Sequence, residues 1–230
     1  MHRISARCRM STGCGNAEAS RRFRETMTLV RCVPVPATLV SLMPKRDADP
    51  VDPGSTIYEE AAEAVKSAGL AYALIGGLAA NLYRKTHPAR LTRDIDFAVE
   101  TVDDDGLDGL VAAFTKRGWG LVRVLRDDDG TAFLAQFDKD AAGLRAHVDC
   151  MFAGTRFERE AIAGADADHV ARAEHIVVYK LIAGRPHDYD DIDAILADNE
   201  VDEAEIRGLA EAWEVADRWS EALLRAERRS

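Results

Sequence analysis

Two aspartates separated by a single residue are the first feature of this sequence that could carry chemistry. Asp94 and Asp96 lie in a segment, residues 92–100, in which polar and apolar side chains alternate as in a β-strand. Both carboxylates would therefore project to one side of the strand. Two bare carboxylates at this spacing repel each other, and a hard divalent cation such as Mg²⁺ supplies the missing counter-charge. The triplet predicts a metal site, although an acidic strand edge that faces solvent would show the same pattern.

A glycine pair and a third aspartate could complete such a site. Gly76 and Gly77 fall between a short apolar strand and a helix, where bare backbone N–H groups can approach a phosphate. A tight turn between two elements explains the pair equally well. Asp149 lies in an apolar, strand-like stretch and needs a partner if it is buried, so it is either a third metal ligand or a surface position. Asp138 and Asp140 are weaker rivals because they fall in a predicted turn.

A later block combines basic and acidic residues at the end of an apolar helix. Lys180 lies where no solvated face is obvious, and Arg185, Asp188 and Asp191 follow it. A cation at this place could meet phosphate oxygens. The alternative is a structural salt-bridge cluster that joins two helices, and it applies to Arg185, Asp188 and Asp191 more than to Lys180.

These residues are spread over an alternation of helices and strands. The patterns predict helices at about 55–67, 78–84, 107–116, 156–163, 174–183, 189–198 and 203–225, and strands at 71–75, 92–100, 121–125, 131–137 and 144–152. Ser55 is the predicted cap of the first helix. The order predicts an α/β (α+β) core with appended helices. We divide the chain into a basic extension at 1–54, a core at 55–155 and a helical C-terminal part at 156–230.

The charge is distributed unevenly along the chain. Residues 1–46 hold nine Lys and Arg against two Asp and Glu, a net of +7, and the rest of the chain holds 21 against 38, a net of -17. The total of -10 argues against a basic groove that grips long nucleic acid by charge alone. It leaves open a nucleic acid that is met locally through metal ions. We expect residues 1–54 to be a disordered extension or to precede the native start.

The cysteines and the hydropathy pattern predict the compartment. The four cysteines form no C-x-x-C pair, so a reducing environment is expected rather than a disulfide framework. No apolar run is long enough to span a bilayer. Together these features predict a cytoplasmic protein that makes no contact with a membrane.

Taken together, the motifs resemble a known superfamily. Gly76-Gly77, the run Arg90-x-Thr92-x-Asp94-Ile-Asp96-Phe, and Asp149 on a later strand resemble the polymerase-β-type nucleotidyltransferases. The block Lys180-Leu-x-Ala-Gly-Arg185-Pro-x-Asp188-x-x-Asp191 resembles more narrowly the AbiEii/AbiGii-type nucleotidyltransferases, a group that includes toxins of type IV toxin–antitoxin systems. The resemblance covers roughly residues 58–197.

The resemblance implies a nucleotidyltransferase fold, in which a short mixed sheet is flanked by helices, and it implies roles for the motif residues. Asp94, Asp96 and Asp149 would hold two Mg²⁺ ions, or Mn²⁺ in their place, which orient a nucleoside triphosphate. Gly76 and Gly77 would face the phosphates and Lys180 would neutralise their charge. Arg90, Thr92, Arg185 and Asp188 would help to bind the nucleotide, and Asp191 or Asp188 would orient it or the acceptor. This chain departs from many relatives by carrying Gly77 where they carry Ser, and by a longer gap before Asp94.

Three functions are compatible with these observations. The first is an enzyme that moves a nucleoside monophosphate from an NTP to a hydroxyl acceptor, either an RNA or tRNA end or a protein side chain. A toxin role would add an antitoxin partner. The second is a catalytically inactive module that keeps the fold and binds a nucleotide or a partner. The third, a metal-dependent phosphohydrolase, lacks the additional His and Asp ligands that its chemistry needs.

Overall fold

The computed structural model describes residues 53–90, 92, 94–141 and 144–228. Five strands form one sheet: β1 (Tyr72–Ile75), β2 (Asp94–Val99), β3 (Gly120–Arg126), β4 (Ala132–Ala141) and β5 (Leu144–Phe152). The helices of the described part are α1 (Pro53–Ser67), α2 (Gly76–Tyr83), α3 (Asp104–Thr115), α4 (Arg156–Ala163), α5 (Ala173–Ala183), α6 (Pro186–Asp198), α7 (Glu203–Ala212) and α8 (Ala216–Glu227). This order confirms the predicted α/β class with a helical C-terminal part.

The sheet is mixed, and its central strands carry the motif aspartates. The strand order is β1-β2-β5-β4-β3, in which β2 and β5 run parallel and every other neighbouring pair runs antiparallel. A parallel pair needs a long connection, and the segment from α3 to β4 provides it here. The predicted short mixed sheet flanked by helices is therefore confirmed.

One face of the sheet packs on α1 and α3, and the motif aspartates lie on the opposite face. Ile95, Phe97 and Val148 are fully buried, and Phe97 lies near the ring of Tyr58 on α1. Phe114 on α3 stacks on Phe137 of β4 with ring centroids 4.0 Å apart. Because side chains alternate along a strand, packing this face under α1 and α3 turns Asp94 and Asp96 to the other face.

The C-terminal helices pack around α5. Every residue of α5 from Ala173 to Ile182 is buried, which is expected for a helix that is apolar on all sides. Helices α6 and α7 contact α5 directly, and Trp219 of α8 completes the packing against the same core. None of the described helices combines the length and the apolar character that crossing a membrane requires.

The structure corrects several predicted element boundaries. Helix α1 begins at Pro53, a residue suited to the first helical position, so Ser55 lies inside the helix and is not its cap. Strand β4 extends to residue 141, so Asp138 and Asp140 lie on a strand and not in a turn. The predicted helix over residues 203–225 is two helices, because Glu214 between them adopts a left-handed φ of 56°. The predictions for residues 1–52 lie outside the described residues.

The aromatic stack between α3 and β4 leads to a stability prediction. Replacement of Phe114 by Ala removes a fully buried ring from the stack on Phe137, and we expect it to lower the free energy of unfolding by about 3–5 kcal/mol. Urea unfolding followed by circular dichroism measures the change. Leu224→Ala, at an exposed position of α8, is the matched control and should change stability by less than about 1 kcal/mol. Equal effects of the two variants would contradict the packing described here.

Candidate active site

Adjacent parallel strands bring the three predicted metal ligands together. Asp96 of β2 is the register partner of Asp149 of β5, and Asp94 lies two residues before Asp96. Directly paired residues on neighbouring strands point to the same face of a sheet, so all three carboxylates share the face opposite α1 and α3. Asp149 is only 6% exposed, which excludes the alternative that it is an ordinary surface residue.

Burial and mutual repulsion raise the pKa values of two of these carboxyl groups. The pKa of Asp96 rises to about 7, chiefly because burial disfavours its charged form, and further because the charges of Asp149 and Asp94 lie nearby. The pKa of Asp149 rises to about 6, again mainly through burial, although the hydrogen bond from Gln136 opposes the rise. Lys180 and Arg185 act in the opposite direction on Asp96. A cation bound between these carboxylates would offset their mutual repulsion.

The donor set fits a hard divalent ion. It consists of carboxylate oxygens alone, which Mg²⁺ and Mn²⁺ prefer, and the half-buried Asp94 and Asp96 lie beside the buried Asp149. Within the described ranges, no three His, Cys, Asp or Glu side chains already stand in the arrangement of a metal site. Instead, Oδ1 of Asp149 accepts a hydrogen bond of 2.7 Å from Nε2 of Gln136. The assignment of Asp94, Asp96 and Asp149 as metal ligands stays a prediction.

The glycine pair packs against this acidic face. Gly76 follows β1 directly and has a φ of 69°, a conformation that glycine adopts at little cost. A Cβ atom on Gly76 would lie 1.9 Å from Oδ2 of Asp96, so any side chain would displace that carboxylate. On Gly77 a Cβ atom would lie 2.7 Å from Nη2 of Arg90 and 2.9 Å from Oγ1 of Thr92. The predicted contact of both glycines with phosphate stays a prediction.

Lys180 forms a buried ion-pair cluster with two aspartates of α6. Its Nζ lies 2.8 Å from Oδ2 of Asp191 and 3.1 Å from Oδ1 of Asp188, and the lysine side chain is only 3% exposed. Asp188 also accepts from Nε of Arg185 at 2.7 Å and from the backbone N–H of the same residue. Burial alone would raise the pKa of Asp188, but the hydrogen bond from Arg185 and the charge of Lys180 outweigh it and hold the pKa low. Asp188 is therefore ionised.

Asp191 is the centre of this cluster because three cations converge on it. Besides Lys180, Nη1 of Arg84 lies 2.6 Å from its Oδ1, and Nε of Arg90 lies 3.2 Å from its Oδ2. The backbone of Arg90 is fixed separately by Asn81, whose side chain donates to the Arg90 carbonyl and accepts from the Arg90 N–H. Asp191 thus anchors the segment that leads from α2 into β2, including the arginine that covers Gly77.

These contacts change the roles that sequence reasoning gave to the later block. Asp188 and Asp191 have no exposed surface and their oxygens are engaged by cations, so their predicted direct contact with nucleotide or acceptor does not fit their positions. The sequence left open that Arg185, Asp188 and Asp191 form a salt-bridge cluster between two helices. The structure contains this cluster. Lys180 belongs to the same cluster. Its charge nevertheless acts on the acidic face, since it lowers the pKa of Asp96.

Sequence reasoning missed four side chains that support the site. Asn81 binds the backbone of Arg90, and Arg84 binds Asp191, which also holds the Arg90 side chain. Gln136 of β4 donates to Asp149, and Arg123 of β3 donates to Gln136. The alternation along β4 could have indicated Gln136 if Asp138 had been read as part of the same strand. The partly exposed ring of His147, on the neighbouring strand, contacts Asp138.

Comparisons with known proteins give a likeness in fold only. No family model matches the chain, and no curated protein matches it. Among solved structures, the antibiotic-resistance factor ANT(2'')-Ia is 18% identical, with 76% of this chain and 95% of that chain covered and a TM-score of 0.40. A protein from H. pylori assigned as a nucleotidyltransferase is 15% identical, with 78% of this chain and 99% of that chain covered and a TM-score of 0.39. A likeness at these values concerns the fold and not the activity.

The raised pKa of Asp96 predicts a pH-dependent stability in metal-free protein. Between about pH 4 and pH 7 the folded chain keeps a proton that the unfolded chain has released, so this carboxyl group makes the fold less stable as pH rises through that window. Asp96→Asn removes the effect. We expect the variant to melt at a higher temperature than the unmutated chain at pH 8 in EDTA, with a difference that disappears near pH 4.

The measurement is a set of melting curves from pH 4 to pH 8 with EDTA or with Mg²⁺. Mg²⁺ should raise the melting temperature of the unmutated chain at pH 8 and leave Asp96→Asn unchanged. Asp128→Asn, at an exposed turn residue, is the control and should follow the unmutated chain throughout. A constant difference between Asp96→Asn and the unmutated chain at all pH values would contradict the raised pKa.

The convergence of cations on Asp191 predicts a large loss of stability when its charge is removed. Asp191→Asn keeps the shape of the side chain but leaves three buried or half-buried cations with one fewer counter-charge, and we expect a loss of about 3–5 kcal/mol. The neighbouring Asp190→Asn, whose side chain is 58% exposed, should change stability by less than about 1 kcal/mol. Urea unfolding at pH 7 compares the two, and similar losses would show that Asp191 is not the anchor.

Proposed function

We propose that the protein is a metal-dependent nucleotidyltransferase that moves a nucleoside monophosphate from an NTP to a hydroxyl acceptor. The observation that carries the proposal is the pairing of Asp96 with Asp149 on adjacent parallel strands, with Asp94 on the same face. Carboxylates in direct register repel each other and are stabilised by divalent cations, and a nucleoside triphosphate is a substrate that brings such cations with it.

The charges around the acidic face support a polyanionic substrate. Arg84, Arg90, Lys180 and Arg185 supply four positive charges, against the two negative charges of Asp188 and Asp191. The cluster therefore keeps an excess of positive charge beside three carboxylates, and its influence reaches Asp96. A metal–triphosphate complex offers cations to the acidic side and phosphate oxygens to the basic side, which matches this division.

In this proposal the described residues bind and orient the substrate. Asp94, Asp96 and Asp149 hold the divalent ions, which when bound neutralise the triphosphate and activate the acceptor hydroxyl. Gly76 and Gly77 let the start of α2 approach the phosphates. Arg90 and Arg185, the two more exposed cations of the cluster, are the candidates for direct phosphate contacts.

The buried members of the cluster act by positioning. Asp191 fixes Arg90 and Lys180, and Asp188 fixes Arg185, so the basic groups keep their places before the substrate arrives. Thr92, in the same segment as Arg90, lies beside Gly77. In the transfer itself, the acceptor hydroxyl gives up its proton to solvent, its oxygen bonds to the α-phosphorus, the bond from that phosphorus to the bridging oxygen breaks, and pyrophosphate leaves. Such a reaction depends on positioning and charge more than on covalent chemistry by the protein.

The finer parts of the proposal rest on the sequence motifs. The AbiEii/AbiGii-like block from Lys180 to Asp191 supports an RNA or tRNA end, or a protein side chain, as the acceptor, and a role as a toxin with an antitoxin partner. The motifs support Mg²⁺ as the physiological ion, and the cysteine pattern supports the cytoplasm as the place of action. The net charge of -10 favours an acceptor that is bound locally near the metal ions over one held along an extended basic surface.

A transfer assay tests the proposal directly. The purified chain is incubated with Mg²⁺, each labelled NTP in turn, and either total RNA or a cell extract. We expect label on RNA or on protein with at least one NTP, and a decrease of at least about 100-fold in Asp94→Asn/Asp96→Asn, because the charge that holds the ions is then lost.

The chain contains its own matched control for this assay. Asp138 and Asp140 form a second aspartate pair with the same spacing, on β4 of the same sheet. Asp138→Asn/Asp140→Asn should keep the transfer activity. Absence of label with every NTP, in a preparation that binds nucleotide, would contradict the transferase proposal and leave a binding module as the function.

A further inference from the structure

A straight row of polar side chains crosses four strands of the sheet. Asp96 on β2 pairs with Asp149 on β5, Asp149 pairs with Gln136 on β4, and Gln136 pairs with Arg123 on β3. Direct register partners share a face, so the row continues the acidic face outward to the edge of the sheet. Along it the side chains change from buried Asp149 through half-buried Gln136 to exposed Arg123.

Hydrogen bonds connect the outer three members of the row. Nε2 of Gln136 donates to Oδ1 of Asp149 at 2.7 Å, and Nε of Arg123 donates to Oε1 of Gln136. The ionised Asp149 side chain can only accept, and the Arg123 guanidinium can only donate. Each neighbour therefore requires the same orientation of the Gln136 amide, with its oxygen towards Arg123 and its NH₂ group towards Asp149.

We propose that Gln136 is a positioning residue that holds Asp149 in place as a metal ligand, and that Arg123 acts through it by fixing the orientation of its amide. The proposal rests on the proposed function, because it assumes that Asp149 holds a divalent ion. Gln136 engages one oxygen of Asp149 and leaves the other for the ion. Without Arg123 the Gln136 amide loses one of the two contacts that fix it, so its hydrogen bond to Asp149 is held less firmly.

Supporting residues of this kind have a known effect on metal affinity. Partners that orient a ligating side chain typically change metal affinity or activity by about 10–100-fold when they are removed. Gln136 is the described side chain that donates to Asp149, so its loss should have an effect in this range. Arg123 lies one step further out and should have a smaller effect of the same kind.

Titration of metal-free protein with Mn²⁺, followed by electron paramagnetic resonance, tests the proposal without any need for catalysis. Gln136→Leu removes the donor at similar size, and we expect about 10-fold weaker Mn²⁺ binding. Arg123→Ala should weaken binding less, and Arg123→Lys, which keeps a donor, should recover part of the loss. Arg126→Ala is the control, because Arg126 is also exposed on β3 but contacts Asp104 and the Gly130 carbonyl.

The double variant Arg123→Ala/Gln136→Leu tests whether Arg123 acts through Gln136. If it does, the double variant binds Mn²⁺ as weakly as Gln136→Leu alone, because the interaction that Arg123 supports is already absent. Losses that add up would overturn the role of Arg123. Melting curves in EDTA show whether Gln136→Leu folds, and Arg123→Ala at the exposed edge provides the test if it does not.

The outcomes separate this proposal from the proposed function. Unmutated protein that binds Mn²⁺, with Gln136→Leu and Arg123→Ala binding equally tightly, overturns the positioning role and leaves the metal site intact. Unmutated protein that binds no Mn²⁺ overturns the metal site, and with it both proposals.

Discussion

The interaction on which the rest of this structure depends is the repulsion between carboxylates on neighbouring strands. The register of β2 with β5 places Asp96 beside Asp149, and the core-forming residues between them leave no freedom to turn either away. Burial raises the pKa values of both groups, to about 7 for Asp96 and about 6 for Asp149, so the fold carries an electrostatic cost at neutral pH. The carboxylates lower the stability of the metal-free fold at neutral pH, and a cation between them would offset the repulsion.

Several neighbouring residues accommodate the carboxylates of Asp96 and Asp149. Gly76 gives the Asp96 carboxylate the space that a side chain would fill, and Gln136 donates a hydrogen bond to Asp149. On the other side, α5 and α6 hold Lys180 and Arg185 in ion pairs with buried aspartates. The helical C-terminal part therefore contributes more than packing, because it holds positive charge next to the acidic face of the sheet.

The sequence predicted the parts of this site that depend on local periodicity. Alternation along β2 was sufficient to place Asp94 and Asp96 on one face, and the apolar surroundings of Asp149 indicated a strand. Gly76 was singled out for an approach to phosphate, which stays a prediction, and the sequence did not indicate that its missing side chain leaves room for the Asp96 carboxylate. The order of helices and strands was also predictable, with errors mainly at element ends and at the break before α8.

The contacts that depend on long-range register could not be predicted from the sequence. Arg84 meets Asp191 across 107 positions of the chain, and nothing local to either residue indicates the other. Gln136 becomes part of the site only because β4 pairs with β5 in one register, and the charged residues that follow it resemble a turn in sequence. In the structure this polar segment pairs with β5, and Asp138 contacts Arg145 and His147 across the strand pair.

The measurement that tests the central claim most directly is anomalous diffraction from crystals grown with Mn²⁺. The account predicts an anomalous peak between the carboxylates of Asp96 and Asp149, within about 2–2.5 Å of an oxygen of each. A crystal that holds Mn²⁺ elsewhere, with no anomalous peak beside these two carboxylates, would contradict it.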